Sequence, residues 1–121
     1  MKENLIALKS YSFAIKIVKL SKAIQDNTKE YTLSKQLLKS GTSIGANIEE
    51  AIGGQSKKDF YAKLSISYKE ARETKYWLRL LTDTQYITSD ESEPLLDDCE
   101  ELLRIIGARR STIRKSINNS Q

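Results

Sequence analysis

Four polar side chains in the middle of the chain, Asn47, Glu49, Glu50 and Glu73, are the ones best suited to acid–base or metal chemistry. One interpretation is a carboxylate site, because Glu serves as a general acid, a general base and a ligand for hard cations. The other is structural, with hydrogen bonds or salt bridges to Lys and Arg at helix or subunit seams. The structural interpretation is favoured, because no two of these carboxylates are three or four residues apart on one helical face.

The chain contains no histidine, and this absence removes the commonest general base and the commonest metal ligand. The di-iron chemistry typical of four-helix bundles needs Glu-x-x-His pairs, which this sequence cannot supply. The single cysteine, Cys99, cannot form an internal disulfide and is expected to be an inert, small apolar residue in the core. We therefore expect no catalytic centre, no bound metal and no cofactor.

Aromatic and basic residues alternate through the third quarter of the chain, and the net charge is +4. Tyr61, Tyr68, Tyr76 and Trp77 lie among seven Lys and Arg residues between positions 57 and 79. Aromatic rings beside cations suit the binding of single-stranded nucleic acid, because bases stack on the rings and phosphates pair with the cations. The alternative is packing, since Trp77 adjoins apolar residues at helical spacing and can fill a subunit contact. Packing is the favoured interpretation.

Charge is unevenly distributed near the C-terminus. Residues 90–101 carry seven acids and no base, whereas residues 104–115 carry five bases and no acid. Acids at the start of a helix and bases at its end complement the helix dipole, which is one explanation. In an up-down-up-down bundle, however, the end of the fourth helix lies beside the start of the first helix and the turn between the second and third. The bases gathered at that end predict a surface that binds polyanions. The candidate nucleic-acid-binding residues are Arg109, Arg110, Arg114, Lys115, Lys57, Lys58 and Lys2.

Apolar residues recur with a period near 3.6 along the whole chain, which predicts four long helices and no sheet. The helices are expected over about 2–26, 33–52 and 56–82, with a fourth beginning between Thr88 and Ser92, where Pro94 falls in or near the first turn.

Thr32 is predicted to cap the second helix, and Ser56 the third with Asp59 as its partner. The Gly53-Gly54 pair is predicted to end the second helix in the left-handed conformation. The expected core residues are Leu37, Ile44, Ile48, Leu64, Ala71, Leu78, Leu102 and Ile106.

The first predicted helix carries two apolar stripes where a surface helix needs one. One stripe consists of Leu8, Tyr11, Ile15 and Val18, and the other of Phe13, Ile17, Leu20 and Ile24. A helix that is apolar on two flanks is expected to pack on two sides, so the pattern predicts self-assembly. Small residues of the second helix, Gly41, Ser43, Gly45 and Ala46, predict a close approach of neighbouring backbones.

The length of 121 residues suits one domain, 1–121, built as an antiparallel four-helix bundle. Lys or Glu interrupts every apolar stretch, so no segment is expected to span a bilayer. The first residues lack an apolar run followed by a cleavage site of small residues, and the expected location is the cytoplasm.

Two segments carry a resemblance to a known family: SIGANIEE, residues 43–50, and EARETKYWL, residues 70–78. With the sequence between them, they resemble the bacterial "four helix bundle protein" family, also known as 23S rRNA-intervening-sequence proteins. Many relatives have proline where this chain has Gly45. The resemblance implies a homopentameric ring of bundles. It extends to the accessory protein of diversity-generating retroelements, a basic pentamer that associates with nucleic acid and a reverse transcriptase.

Two functions remain open from the sequence. The first is a non-catalytic, oligomeric scaffold or adaptor whose basic surface contacts RNA or DNA. The alternative is a self-assembling module whose partner is another protein, with its charge serving solubility only. An enzymatic role has the least support, because the residues that would carry it are missing or isolated.

Overall fold

Four helices make up residues 2–119, the part of the chain that the computed structural model describes. They are α1 (Lys2–Thr28), α2 (Thr32–Ile52), α3 (Lys57–Asp83) and α4 (Ser89–Asn119). Their lengths of 21 to 31 residues correspond to about 32–47 Å at 1.5 Å per residue. No strand occurs in residues 2–119, so the predicted all-α architecture is confirmed. None of these helices is long and apolar enough to cross a membrane.

Side-chain contacts between neighbouring helices establish the up-down-up-down order. Between α2 and α3, the Ser67 hydroxyl donates to the Ile44 carbonyl at 2.9 Å, and the Thr74 hydroxyl donates to the Ser40 hydroxyl at 2.9 Å. Residue numbers therefore rise on one helix as they fall on the other, which is the antiparallel arrangement. Each helix packs on the next and α4 returns to α1, and within residues 2–119 no two backbones approach closely across the diagonals.

All eight residues predicted for the core are buried, with exposed fractions of 0–1%. They belong to one apolar cluster that all four helices share. On α1, the stripe of Phe13, Ile17, Leu20 and Ile24 is the one that faces this core. The period of 3.6 was therefore a sufficient guide to which side of each helix is buried.

The seam between α1 and α4 is the loosest of the four helix contacts, and two ion pairs bridge it. Lys16 pairs with Asp98 at 2.8 Å and Lys9 with Glu101 at 3.1 Å. Both pairs are substantially exposed, and exposed pairs contribute about 0.2–1 kcal/mol each. They fix the register of α4 on α1 more than they add to stability.

The N-terminus of α2 differs from its predicted form. Thr32 is the first helical residue, and Tyr31 occupies the cap position without a side-chain hydrogen bond. The Glu30 carboxylate instead accepts from the backbone N–H groups of Thr32, Leu33 and Ser34 at 2.9–3.1 Å. The Thr32 prediction was wrong because a two-oxygen carboxylate two residues upstream reaches three free amides, whereas a hydroxyl serves one or two.

The predicted left-handed ending of α2 was also wrong. Gly53 has φ −80° and ψ 1°, and no glycine in residues 2–119 has a positive φ. Left-handed residues occur instead at Lys29 and Gln85, which follow α1 and α3. At Gln85, the N–H of Tyr86 donates to the Leu81 carbonyl and that of Gln85 to the Thr82 carbonyl, both at 3.0 Å, which is a Schellman motif. The turn after α3 therefore has the geometry that glycine was expected to provide after α2.

Hydroxyl caps begin the last two helices. The Ser56 side chain accepts from the Asp59 N–H at 3.1 Å, as predicted. A full capping box begins α4, where Thr88 and Glu91 each accept from the other's backbone N–H at 3.2 and 2.9 Å. Pro94 is the sixth residue of α4, so its missing N–H falls at an exposed position in the second turn.

Gly41 marks the closest approach of α2 to α1. A Cβ at this position would lie 2.7 Å from Cγ2 and 2.9 Å from Cγ1 of Ile17, which is fully buried. Gly45 is also close to α1, with the Ser10 carbonyl oxygen 3.4 Å from its hypothetical Cβ, but Ala46 is exposed. The predicted close approach is therefore made by the two glycines and not by Ala46.

The substitution Gly41→Ala is expected to lower the free energy of unfolding by about 1–2 kcal/mol, although alanine ordinarily favours a helix over glycine by about 1 kcal/mol. The reason is overpacking, because the new Cβ would clash with the side chain of Ile17, which is β-branched, stiff at χ1 and fully buried. Urea unfolding followed by circular dichroism measures the change. In the double variant with Ile17→Ala, the alanine at position 41 should cost little further stability. Equal costs in both backgrounds would contradict the steric account.

Candidate nucleic-acid interface

The carboxylates considered for acid–base or metal chemistry are dispersed and largely occupied by structural contacts. Glu50 forms a salt bridge with Lys63 at 2.9 Å, joining α2 to α3, and Glu73 accepts from the Trp77 indole N–H at 3.2 Å. The Asn47 amide donates to the Ser43 carbonyl at 2.8 Å, while Glu49 is exposed. No group of three potential metal ligands occurs in residues 2–119. The structural interpretation is confirmed for Glu50, whose salt bridge joins two helices. The contact of Glu73 lies within α3 and is made with Trp77, not with Lys or Arg of another helix.

Glu70 was not anticipated from the sequence, although it lies one turn from Glu73. Partial burial, followed by the charge of Glu73, raises the pKa of the Glu70 carboxyl above its usual value, while Lys69 and Lys39 oppose the shift. The spacing of three residues was the signal that could have indicated this pair. Two carboxylates alone, with no third ligand nearby, do not form a metal site.

Cys99 is a buried core residue, as predicted. Its Sγ donates to the Ala71 carbonyl at 3.1 Å, and its exposed fraction is 0%. Burial, followed by the negative charge of Glu100, raises the pKa of this thiol to about 12. Because the thiolate is the nucleophilic form, a thiol with this pKa is inert near neutral pH.

The end of α4 lies beside the starts of α1 and α3, as the predicted topology required. Lys57 donates to the Ser116 hydroxyl at 2.6 Å, and Arg109 forms an ion pair with Glu3. The candidate basic residues other than Lys2 are therefore brought to one end of the bundle. Lys2 begins α1, but its side chain lies outside the part of the chain that the structure describes.

Two of the candidate arginines are engaged within the fold. Arg109 pairs with Glu3, with side-chain exposed fractions of 23% and 19%, and its guanidinium lies 5.7 Å from the centre of the Phe60 ring. A backbone hydrogen bond is the main cause that lowers the pKa of Glu3, and the charge of Arg109 adds to it. Arg109 therefore stabilises the α1–α3–α4 junction and is not displayed as a surface cation.

Arg110 lies against two tyrosines of α3. Its guanidinium is 5.5 Å from the Tyr61 ring centre and 5.0 Å from that of Tyr68, and its Nε donates to the Ser65 hydroxyl at 3.1 Å. The Arg110 side chain also hydrogen-bonds the Tyr61 hydroxyl, which is the main cause that lowers the pKa of Tyr61. Two of the four aromatic residues that the sequence offered for stacking, Tyr61 and Tyr68, are therefore already in contact with an arginine.

The remaining candidates, Arg114, Lys115, Lys57 and Lys58, are exposed. Arg114 and Lys58 share a surface hollow of about 380 Å³ with Tyr61. Helix-dipole matching does not explain the bases of α4, because its last turn contains none of them and the dipole effect fades beyond one turn. Dipole matching holds only at the N-terminus, where Asp90 and Glu91 occupy the first turn.

A larger groove runs between α3 and α4 and begins at Tyr68, one of the two tyrosines that Arg110 contacts. Its volume is about 560 Å³. The lining residues are mainly basic and aromatic: Tyr68, Arg72, Lys75, Tyr76, Arg79, Glu100, Leu103 and Arg104. We call this feature the α3–α4 groove. Its α3 side was visible in the sequence as the alternation of Tyr with Arg and Lys, whereas Arg104 joins it only through the packing of α4.

The outward side of α1 carries the other unusual surface. Leu8, Tyr11, Ile15 and Val18, the second predicted stripe, are 43–69% exposed, and Leu5 at 50% extends it. At 100° per residue, these side chains lie on the side of α1 opposite the core. We call this feature the α1 stripe. It is an apolar surface about 20 Å long, because Leu5 and Val18 are separated by 13 helical rises of about 1.5 Å each.

Comparison with known proteins gives a family and a fold. The chain matches the family described as 23S rRNA-intervening sequence protein over residues 2–108. It is also similar to the crystal structure of a protein with unknown function from the S23 ribosomal protein family of Bacteroides thetaiotaomicron. The two chains are 47% identical, the match covers 92% of this chain and 99% of that one, and the TM-score is 0.89. No curated protein matches the chain significantly.

Proposed function

The chain belongs to the 23S rRNA-intervening sequence protein family, and from this premise we propose that it is a non-catalytic, self-assembling scaffold that binds RNA or DNA through a basic surface. The α1 stripe is the single observation that best supports assembly. Five large apolar side chains on one outward helical face exceed the scattered apolar residues normal for a surface. Covering them on assembly stabilises the complex by about 25 cal/mol per Å² of apolar surface removed from water.

A second copy of this chain is the partner that the charges favour. Exposed Lys19 and Lys22 lie on the same helix as the α1 stripe, whereas the first half of α4 carries the acidic run with exposed Glu93 and Asp97. Contact between α1 of one copy and the acidic half of α4 of the next joins two different faces. Such heterologous contacts close into rings, including rings with an odd number of subunits. The number five comes from the family resemblance.

The absence of catalysis is supported by the residues themselves. The sequence has no histidine, the one thiol is protonated at neutral pH, and Glu50 and Glu73 are held by Lys63 and Trp77. Nucleic-acid binding is supported by the exposed cations at the α4 end and along the α3–α4 groove. A basic groove of this kind attracts polyanions at a distance and raises their rate of association.

The double variant Leu8→Glu and Ile15→Glu tests assembly. Two carboxylates on the α1 stripe would be buried without partners in the assembly, so we expect dissociation into monomers at micromolar concentration with unchanged helicity. Native mass spectrometry measures the mass, and circular dichroism the helicity. Ser111→Glu, at an exposed position of α4, is the control and should leave the mass unchanged.

A wild-type protein that is monomeric at the same concentration would contradict the assembly proposal. A dimer or a tetramer would contradict only the ring of five. If the protein assembles but binds neither RNA nor DNA at low salt, the protein-partner alternative replaces the nucleic-acid part of the proposal.

A further inference from the structure

We propose that the α3–α4 groove binds a single strand of nucleic acid, with bases stacked on Tyr76 and phosphates held by Arg72, Arg79 and Arg104. This inference rests on the proposed function and assigns the binding site and the form of nucleic acid. The site differs from the α4 end that the sequence indicated, because Arg109 and Arg110 at that end are engaged within the fold.

The charge of the groove is positive and largely uncompensated. Four of its lining side chains are basic and one, Glu100, is acidic. Glu100 forms an ion pair with Lys75, which leaves the three arginines. Within residues 2–119, Arg72, Arg79 and Arg104 form no salt bridge, and all three are exposed. Guanidinium groups in this state are suited to phosphate, which they bind through paired N–H donors.

Tyr76 provides an aromatic surface that is exposed and yet held in place. Its side chain is 55% exposed, and its ring makes an edge contact with Trp77, with centroids 5.0 Å apart and planes at 74°. The indole is itself fixed by its hydrogen bond to Glu73 at 3.2 Å. An exposed tyrosine whose orientation is set beforehand loses little conformational entropy when a base stacks on it.

Tyr68 closes the other end of the groove and shapes its floor. A Cβ at Gly107 would lie 3.1 Å from Cε1 of Tyr68, so the absence of a side chain there lets the ring lie close against α4. The Arg110 guanidinium lies 5.0 Å from the centre of the same ring. A separate hollow, lined by Lys58, Tyr61 and Arg114, lies farther toward the start of α3.

The dimensions and chemistry favour a single strand over a duplex. From Lys58 to Arg79, the basic and aromatic positions extend along 22 residues of α3, or about 32 Å. A strand lying along this path presents both its phosphates and its base faces to the protein. In a duplex the base faces are stacked on each other, so the tyrosines would gain nothing and only the charge contacts would remain.

The test measures binding of a fluorescently labelled 12-nucleotide oligo(dT) and oligo(U), and of a 12-base-pair duplex, by anisotropy at about 50 mM salt. We expect both single strands to bind more tightly than the duplex. Tyr76→Ala should weaken single-strand binding about tenfold, as expected for loss of one stacked base. Arg72→Gln with Arg79→Gln should also weaken it about tenfold or more.

Two matched controls remove similar groups elsewhere. Tyr31→Ala deletes a tyrosine of similar exposure, and Lys35→Gln with Lys39→Gln removes two positive charges from α2. Both should leave the affinity within about twofold. Circular dichroism and native mass must be unchanged in every variant compared.

Three outcomes would overturn the inference. If the groove variants bind normally while Lys58→Gln with Lys115→Gln does not, the groove is wrong and the proposed function survives at the α4 end. If duplex binds as tightly as single strand, the stacking role is wrong. If no nucleic acid binds, or if only an acidic peptide such as oligo-glutamate does, both the inference and the nucleic-acid part of the proposed function are wrong.

Discussion

Arg109→Glu should lower the free energy of unfolding by about 2–4 kcal/mol, whereas Arg114→Glu should change it by less than about 0.5 kcal/mol. The two arginines are five residues apart in the same basic run, and only their surroundings differ. Glutamate at position 109 would face Glu3 in a largely buried position and would lose the contact with Phe60. Position 114 is exposed. Urea unfolding of both variants at one protein concentration measures the difference.

Measuring the free energy of unfolding of Arg109→Gln over a range of pH distinguishes the contribution of the Glu3–Arg109 ion pair from that of packing on Phe60. The pKa of Glu3 is lowered in the folded protein, so its charged form contributes stability above its ordinary pKa of about 4.3. That contribution is lost as the pH falls through the lowered pKa. The difference in stability between wild type and Arg109→Gln should therefore shrink as the pH is lowered through the acidic range. A gap that stays constant would show that Arg109 acts through packing on Phe60 alone.

Raising the salt concentration from about 50 to about 200 mM should weaken single-strand binding about 20-fold. This figure assumes three phosphates neutralised, by Arg72, Arg79 and Arg104, and a slope of about −0.7 in log–log form per phosphate on a single strand. The substitutions Arg72→Gln and Arg79→Gln together should reduce the slope from about −2.1 to about −0.7. Anisotropy titrations at four or more salt concentrations give both slopes. A slope near zero would mean that charge is not what holds the strand.

The helices and the core were predictable because the signal is periodic and repeated. Leu37, Ile44 and Ile48 recur at the spacing of one helical face, and each is only 0–1% exposed. Helix ends were less predictable, because several residues compete for a few free backbone groups. Glu30 displaced Thr32 as the acceptor at the start of α2, and Gln85 adopted the left-handed turn that was expected of glycine.

The candidate site was only half predictable, for a geometric reason. The topology predicted from the sequence placed the end of α4 beside Lys57, and the structure does so too. Adjacent helical residues point about 100° apart, so which arginine meets Glu3 and which meets solvent depends on the rotation of α4. Arg109 turns inward, whereas Arg114 turns outward. The groove also needed Arg104, far from the tyrosines of α3 in sequence, which only the packed structure identifies.

Native mass spectrometry of the wild-type protein, alone and with a single-stranded 12-nucleotide oligo(dT) at low salt, tests the central claim most directly. One spectrum gives both the mass of the assembly and the mass of any oligonucleotide bound to it. The account predicts a single closed assembly, five subunits by the family resemblance, whose mass increases by whole oligonucleotides. It also predicts that Tyr76→Ala keeps the assembly mass and loses most of the bound strand. A monomer whose mass does not change when the oligonucleotide is added would contradict the account.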